Sequence, residues 1–252
     1  MQHDVTSSST SPNTRIYAIG DIHGCNDLLG NLLTWIEDDV CTKGAARNVM
    51  VFLGDYVDRG PDIIGVLDRL IKGLPFVQET IFLRGNHEDT LLRFLDGDDL
   101  DWRWFEHGGI ETFKSYGLDI PDDPHQAHAK AALLRKKLKL AFPPNHKRFL
   151  EQLDNYWLDG DYLFVHAGIK PGASIEVQSQ RDLLWIRDEF LASTADFGKI
   201  IVHGHSITDK PNVQPNRIGI DTGAWRTGLL TCLVLDGVER HFVFSNPDST
   251  SA

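Results

Sequence analysis

Six short segments hold most of the residues that could do chemistry. They are Gly20-Asp21-Ile22-His23-Gly24, Gly54-Asp55-Tyr56-Val57-Asp58-Arg59-Gly60, Gly85-Asn86-His87-Glu88, His166-Ala167-Gly168, His203-Gly204-His205 and Asp221-Thr222-Gly223. Glycines flank nearly all of them, and glycine permits tight turns and close backbone approach to a ligand. Together they offer Asp, His and Asn, a mixed oxygen and nitrogen donor set without thiolate. Such a set suits Mn2+, Fe or Zn2+ with an open position better than a closed structural zinc cage. The donors outnumber what one ion needs if a position stays open for water. Two ions sharing one carboxylate fit better, and a pair about 3.5–4 Å apart can bind one hydroxide and clamp the oxygens of an in-line displacement. Each motif alone is weak, since Asp-x-His arises by chance and Gly-Asn-His-Glu could be a turn with a helix cap.

The elements that must position these residues repeat one pattern three times in the first hundred residues. Arg15–Ile19, Val49–Leu53 and Glu79–Leu83 are short apolar runs, each followed by glycine and a polar residue. Leu28, Leu29, Leu32, Leu33 and Ile36 then recur at helical spacing, with Asn26 as an N-cap. A second helix starts near Pro61 and carries Ile63, Ile64, Leu67 and Leu70; a third carries Leu91, Leu92 and Leu95. This is a β–loop–α array, and such sheets bind ligands beyond the carboxyl ends of their strands. The polar loops are therefore expected to converge. Residues from about 96 to 160, broken by Pro121, Pro124, Pro143 and Pro144, read as a mainly helical insert. Strands return at Tyr162–Val165, Ile200–Val202, Ile218–Ile220, Leu229–Leu235 and Val238–Phe244, with Asp236-Gly237 as the last hairpin turn.

With 252 residues, 41% hydrophobic and 24% charged, the chain allows one large α/β domain with a sizeable core. Its formal charge of −11 argues against long-range attraction to nucleic acid or anionic lipid. Cys25, Cys41 and Cys232 are too sparse for a disulfide framework and point to a reducing, cytoplasmic setting. No apolar run approaches a membrane span. Met1 to Thr14 is polar and rich in Ser and Thr and reads as a disordered tail; residues 246–252 read as a short polar tail. The expected domain is 15–245.

Gly20-Asp21-Ile22-His23-Gly24, Gly54-Asp55-Tyr56-Val57-Asp58-Arg59-Gly60 and Leu83-Arg84-Gly85-Asn86-His87-Glu88 resemble, without a mismatch, the signatures of the phosphoprotein phosphatase (PPP) family of calcineurin-like metallophosphoesterases. His166-Ala167-Gly168 and Gly204-His205 follow in that family's order, so the likeness covers about residues 15–245. It implies an α/β (α+β) fold, a central β-sandwich flanked by helices, with two divalent metals at one edge, Mn2+ first among the candidates. On this likeness Asp21 and His23 would hold the first metal, Asp55 would bridge, and Asn86, His166 and His205 would hold the second. Asn86 would also face substrate. Asp58 and His87 would form a proton-transfer dyad, with Arg59 and Arg187 on the substrate phosphate. The residue types suit these roles. A bridging carboxylate offers two anionic oxygens where an amide could not, and water between two cations loses a proton near neutral pH. A histidine kept cationic by an aspartate can protonate a leaving alkoxide, and an arginine can fork two hydrogen bonds onto a phosphoryl group. His203, two residues before His205, reads as a neighbour of the site.

Several other features read as bland. Cys41 and Arg47 match a Cys-x5-Arg spacing but follow a helix and precede a strand, the reverse of a cysteine phosphatase loop. Asp96-Gly97-Asp98-Asp99-Leu100-Asp101 lacks EF-hand spacing. Arg135, Lys136, Lys137 and Lys139 read as a solvated helix face. Trp102, Trp104 and Phe105 read as core. His107, His125, His128, His146 and His241 carry no assignment.

The function expected is metal-dependent phosphoester hydrolysis, with phosphoserine and phosphothreonine proteins as the first substrate class. The chain looks like the compact bacterial-type branch: it has His166-Ala167-Gly168 where eukaryotic members carry His-Gly-Gly. The alternatives are a symmetrical diadenosine tetraphosphate hydrolase or other small-molecule phosphatase, and a catalytically silent scaffold. Asp58 weighs against the first, because the second motif of those hydrolases usually lacks it. The complete ligand set weighs against the second.

Overall fold

Alternation along the strands builds two cores. In β1 (Thr14–Ile19), Ile16 and Ala18 face one side and Tyr17 and Ile19 the other. The computed structural model describes residues 5–44, 47–98, 100 and 102–246. β1 lies mid-sheet. It pairs in parallel with β2 (Arg47–Phe52), which pairs in parallel with β3 (Glu79–Phe82). Its other edge meets β9 (Thr231–Asp236) antiparallel, and β9 meets β10 (Glu239–Phe244) through the Asp236-Gly237 turn. A second five-stranded sheet runs β4 (Tyr156–Asp159), β5 (Tyr162–Val165), β6 (Ile200–His203), β8 (Arg217–Gly219), β7 (Asn212–Gln214). Ile16, Val49 and Val51 from the first sheet meet Phe164, Val202 and Ile218 from the second, and all are fully buried.

The outer face of the first sheet is covered by α1 (Asn26–Lys43), α2 (Ile63–Lys72) and α3 (Asn86–Asp96). On α1, Leu29, Leu32, Leu33 and Ile36 form a buried i, i+3, i+4, i+7 stripe, each worth about 1.5–3 kcal/mol of burial. Asn26 is not the cap of α1, as the spacing suggests. It is the first helical residue, and its side chain donates to Asp62 Oδ2 (2.8 Å) and accepts from Arg69 Nε (2.7 Å), joining α1 to α2. Asp62 caps α2 by accepting from Gly65 N at 2.9 Å.

The insert is mainly helical: a kinked helical segment at Phe105–Gly109, with Gly108 at φ 108°, then α4 (Ile110–Ser115), α5 (Pro124–Ala129), α6 (Ala131–Ala141) and α7 (Pro144–Glu151). Pro124 and Pro144 each open a helix, where a missing N–H costs nothing. The three lysines of the basic run are exposed on α6, while Arg135 lies over the Phe94 ring, its guanidinium carbon 4.9 Å from the centroid. Asp99 and Asp101 of the acidic turn lie outside the described residues.

The polar N-terminal segment departs from the expectation of a disordered tail. Val5 is buried and donates its N–H to Pro215 O; Thr10 N donates to Gly237 O, and Ser9 and Ser11 N–H groups donate to Asp161 and Asp159. Residues 5–14 thus tie turns of both sheets together by backbone hydrogen bonds, which leave no apolar periodicity to read. Residues 1–4 and 247–252 lie outside the described residues.

Candidate active site

The carboxyl ends of β1, β2, β3, β5, β6 and β8 lie along one edge of the sandwich, and each feeds one of the six polar segments. Tight turns bring the side chains inward. His23, Asp55, Asp58, Arg59 and His205 adopt positive φ, as does only Asn13 among the other described non-glycine residues. Such strain concentrates at functional sites. Two glycines make room by having no Cβ: one on Gly85 would lie 2.1 Å from Asp55 Oδ1, and one on Gly204 would lie 2.0 Å from Asp21 Oδ1.

Asp55 is the hub. His23 Nε2 lies 3.4 Å from its Oδ2, His166 Nε2 3.5 Å from its Oδ1, and His87 Nε2 3.9 Å from its Oδ2. Ligand atoms of His23, Asp55 and His87 lie within 4.8 Å of one another, and so do those of Asp55, His166 and His205. Asn86 Oδ1 is 2.8 Å from His166 Nε2. Asp21 turns its carboxylate to the His205 N–H (3.1 Å) and to the neighbouring carboxyl of Asp221.

Three observations fit this site to divalent cations. His23 Nδ1 is 2.8 Å from Val57 O and His166 Nδ1 2.9 Å from Leu53 O, so Nε2 is the nitrogen each directs toward Asp55. Burial pushes the His23 imidazole down to about 3 and lowers those of His166 and His205, the neutral form a metal requires. His205 Nε2 is buried with no hydrogen-bond partner. The carboxyls complete the picture. Burial and the charges of Asp221 and Asp55 push Asp21 well above the usual carboxylate range, and burial pushes Asp221 up to about 6. That is carboxylate crowding a cation would relieve. Burial opposes ionisation of Asp55, yet His166, His87 and His23 hold it far below the usual range.

Behind the hub, His87 Nδ1 is 2.7 Å from Asp58 Oδ2. Burial would lower the His87 pKa, but Asp55 and Asp58 together raise it. Glu88, quoted in the third motif without a role, is fully buried. Its two oxygens accept from four backbone N–H groups: Asp55 (2.8 Å) and Gly85 (2.9 Å) on one, Tyr56 (2.8 Å) and Val57 (3.1 Å) on the other. It therefore fixes the loop that carries Asp55.

The cavity in front of this cluster has a volume of about 810 Å3. Asp21, His23, Asp55, Arg59, Asn86, His87, Arg187 and His205 all line it, whereas Asp58 and His166 lie fully buried beneath. Asp221 is also in the wall. Sequence reasoning missed Arg93, Arg103, Arg226, Trp185 and His107 as lining residues, and took Trp104 for core alone. Apart from His107, which precedes Gly108-Gly109, none stands beside a glycine. His203 points elsewhere: its ring packs against Phe190 at 5.1 Å and its Nδ1 lies 3.0 Å from Gly204 O.

A sandwich with an Asp/His/Asn cluster at its strand ends defines a metallophosphoesterase. The chain matches the Calcineurin-like phosphoesterase family over residues 14–223, and it belongs to that family. It is 28% identical over 236 residues to the asymmetrical bis(5'-nucleosyl)-tetraphosphatase PrpE of Anoxybacillus flavithermus, covering 85% of this chain and 88% of that one. It is 27% identical over 228 residues to serine/threonine-protein phosphatase 2 of Salmonella typhimurium, covering 86% and 90%. A solved protein serine/threonine phosphatase from Saccharomyces cerevisiae shares the fold at a TM-score of 0.52 and 15% identity, over 95% of this chain and 84% of that one. The protein is a phosphoester hydrolase, and its family implies divalent metals.

Proposed function

We propose that this chain is a serine/threonine protein phosphatase working with two divalent cations, Mn2+ foremost, held by Asp21, His23, Asp55, Asn86, His166 and His205. The observation that carries the reading is the Asp58–His87 pair, 2.7 Å apart and set behind the cavity. A serine or threonine alkoxide is a poor leaving group and must gain a proton as its bond to phosphorus breaks. A nucleotide leaves from an anhydride already anionic and needs that proton less. With Nδ1 engaged by Asp58, His87 presents Nε2 to the cavity as the donor. Arg59 suits the phosphoryl oxygens: its guanidinium lies over the Trp225 ring, 4.9 Å from the centroid, and its buried Nε has no partner. Arg187, on the same cavity, would be the second cationic arm. When bound, the cations would polarise the phosphoryl oxygens and acidify a water for in-line attack. The scattered free cysteines favour a reducing, cytoplasmic compartment.

A second reading has its own support. Arg59, Arg93, Arg103, Arg187 and Arg226 line the cavity together with Trp185, more positive charge than one phosphoryl group engages. That suits a polyphosphate chain with a base to stack, and the PrpE relatives cleave bis(5'-nucleosyl) tetraphosphates by name. The deciding experiment strips the protein of metal and restores Mn2+. A phosphothreonine peptide and diadenosine tetraphosphate are then compared by kcat/KM. Preference for the peptide, lost in Asp55→Asn and His87→Asn, supports the first reading. Preference for the dinucleotide replaces it with the second.

A further inference from the structure

The helical insert reaches into the proton-transfer pair. Asp58 is fully buried, and three side-chain donors converge on its carboxylate. His87 Nδ1 (2.7 Å) and Trp104 Nε1 (2.8 Å) meet Oδ2, and the Thr112 hydroxyl meets Oδ1 in a short hydrogen bond. Thr112 Oγ1 also accepts from the Asp58 N–H at 3.2 Å. Two of the three donors thus come from the insert, 46 and 54 residues further along the chain. They bracket a kink between two helical stretches at Phe105–Gly109, where His107 and Gly108 leave helical geometry. The kink itself touches the next residue: Arg59 N donates to Gly108 O at 3.1 Å, and a Cβ on Gly108 would lie 2.5 Å from Arg59 N. The indole of Trp104 is held in turn by Phe94 (4.7 Å between ring centroids) and Phe105 (5.1 Å).

We propose that Trp104 and Thr112 are positioning residues for the Asp58–His87 proton donor, so that the insert completes the machinery for expelling a poor leaving group. The proposal rests on reading His87 as that donor. One insert donor on each carboxylate oxygen, Trp104 on Oδ2 and Thr112 on Oδ1, fixes both the rotation and the tilt of Asp58. Asp58 in turn aims the imidazole, and loss of either anchor lets His87 Nε2 wander from the leaving oxygen. A general acid is worth about 10²–10⁴-fold, and small misplacements of reacting groups cost up to about 10²-fold.

The test uses Thr112→Val, which keeps the shape, Trp104→Phe, which keeps the bulk, Thr112→Ser, and His87→Asn as reference. Each Mn2+-loaded enzyme is assayed on 4-nitrophenyl phosphate, whose leaving group needs little protonation, and on phenyl phosphate, whose leaving group needs more. Thr112→Val and Trp104→Phe are expected to lose about 10–100-fold in kcat on phenyl phosphate and little on 4-nitrophenyl phosphate, with KM unchanged. Thr112→Ser should restore the wild-type pattern, and Thr112→Val should cost nothing further in the His87→Asn background. If His87→Asn shows the leaving-group dependence but both insert variants lose activity equally on the two substrates, or lose none, the positioning role is overturned. If His87→Asn itself loses equally on both, the proton-donor reading fails and the proposal falls with it. Should one insert variant not fold, the other decides.

Discussion

Glu88→Gln is the substitution whose cost follows most directly from the structure. The wild-type carboxylate accepts four backbone N–H groups, two per oxygen, from Gly85, Asp55, Tyr56 and Val57. Glutamine keeps one such oxygen. Its amide NH2 then faces two N–H groups that have no other acceptor, donor against donor. Each orphaned buried N–H costs about 1–3 kcal/mol, so the substitution should destabilise by about 4 kcal/mol. For a domain of this size that lowers Tm by roughly 8–16 °C. Asp55 rides on the released loop, so divalent-cation affinity should fall as well, by about 10–100-fold. Calorimetry measures the first effect. Competition with a chelator, run well below either melting temperature, measures the second without interference from unfolding. A Tm within roughly 2 °C of wild type, with unchanged metal affinity, would refute the claim that Glu88 orders the Asp55 loop.

Three further outcomes are expected. In the native protein a maleimide should label Cys41, which is exposed, and spare Cys25 and Cys232, which are buried; burial pushes the Cys25 thiol up to about 11. Mass spectrometry should find one adduct natively and three after denaturation. Deleting residues 2–11 removes the backbone hydrogen bonds from Ser9, Thr10 and Ser11 that join the two sheets, at about 1 kcal/mol each; Tm should fall by roughly 6–12 °C, and an unchanged melt would show the segment contributes nothing. Gly204→Ala drives a Cβ to 2.0 Å from Asp21 Oδ1 and should cut metal content measured by atomic emission, whereas Gly30→Ala, mid-helix and 3.4 Å from the Arg69 side chain, should leave it intact.

The residues proposed for chemistry were legible because each is local to a turn. A glycine and a polar residue after an apolar run say where a strand ends, and the topology of parallel strands does the rest. What sequence could not show is how distant segments meet. Trp104 reads as core and is buried as core, yet its indole N–H has one specific acceptor 46 residues earlier. Thr112 sits on a short helix with nothing to mark its hydroxyl. Arg93 and Arg226 look like ordinary solvated arginines until the cavity between them is seen. β4 and β7 escaped for a different reason: both are edge strands of their sheet, and neither exceeds four residues, too few to establish a period of two. The N-terminal segment binds by backbone groups, which every sequence has.

The positive-φ residues bear on how metal and fold are coupled. A non-glycine residue in the left-handed region costs about 1–2 kcal/mol, so His23, Asp55, Asp58, Arg59 and His205 together hold roughly 5–10 kcal/mol of strain. That is of the order of a whole domain's net stability. The neighbouring carboxyls of Asp21 and Asp221 add to it. Hydrogen bonds accepted by Glu88 and donated by Thr112 and Trp104 offset part of the strain by holding one of these loops, the one that carries Asp55, Asp58 and Arg59, but none of them touches His205, whose Nε2 is left without a partner. Cations bound among these side chains would supply the missing partner and relieve the crowding. Ligand that binds only the folded state at a hundred times its Kd stabilises by about 2.7 kcal/mol. Mn2+ at that level should therefore raise Tm by roughly 5–11 °C over the chelator-treated protein. Asp55→Asn, which removes the carboxylate common to both ligand groups, should abolish most of that shift. Calorimetry of the four samples, with bound metal measured in each, separates the cases. If Asp55→Asn keeps both the full Mn2+ content and the full rise in Tm, the ions sit elsewhere than among these strained turns, and the assignment of Asp55 as the shared ligand is wrong.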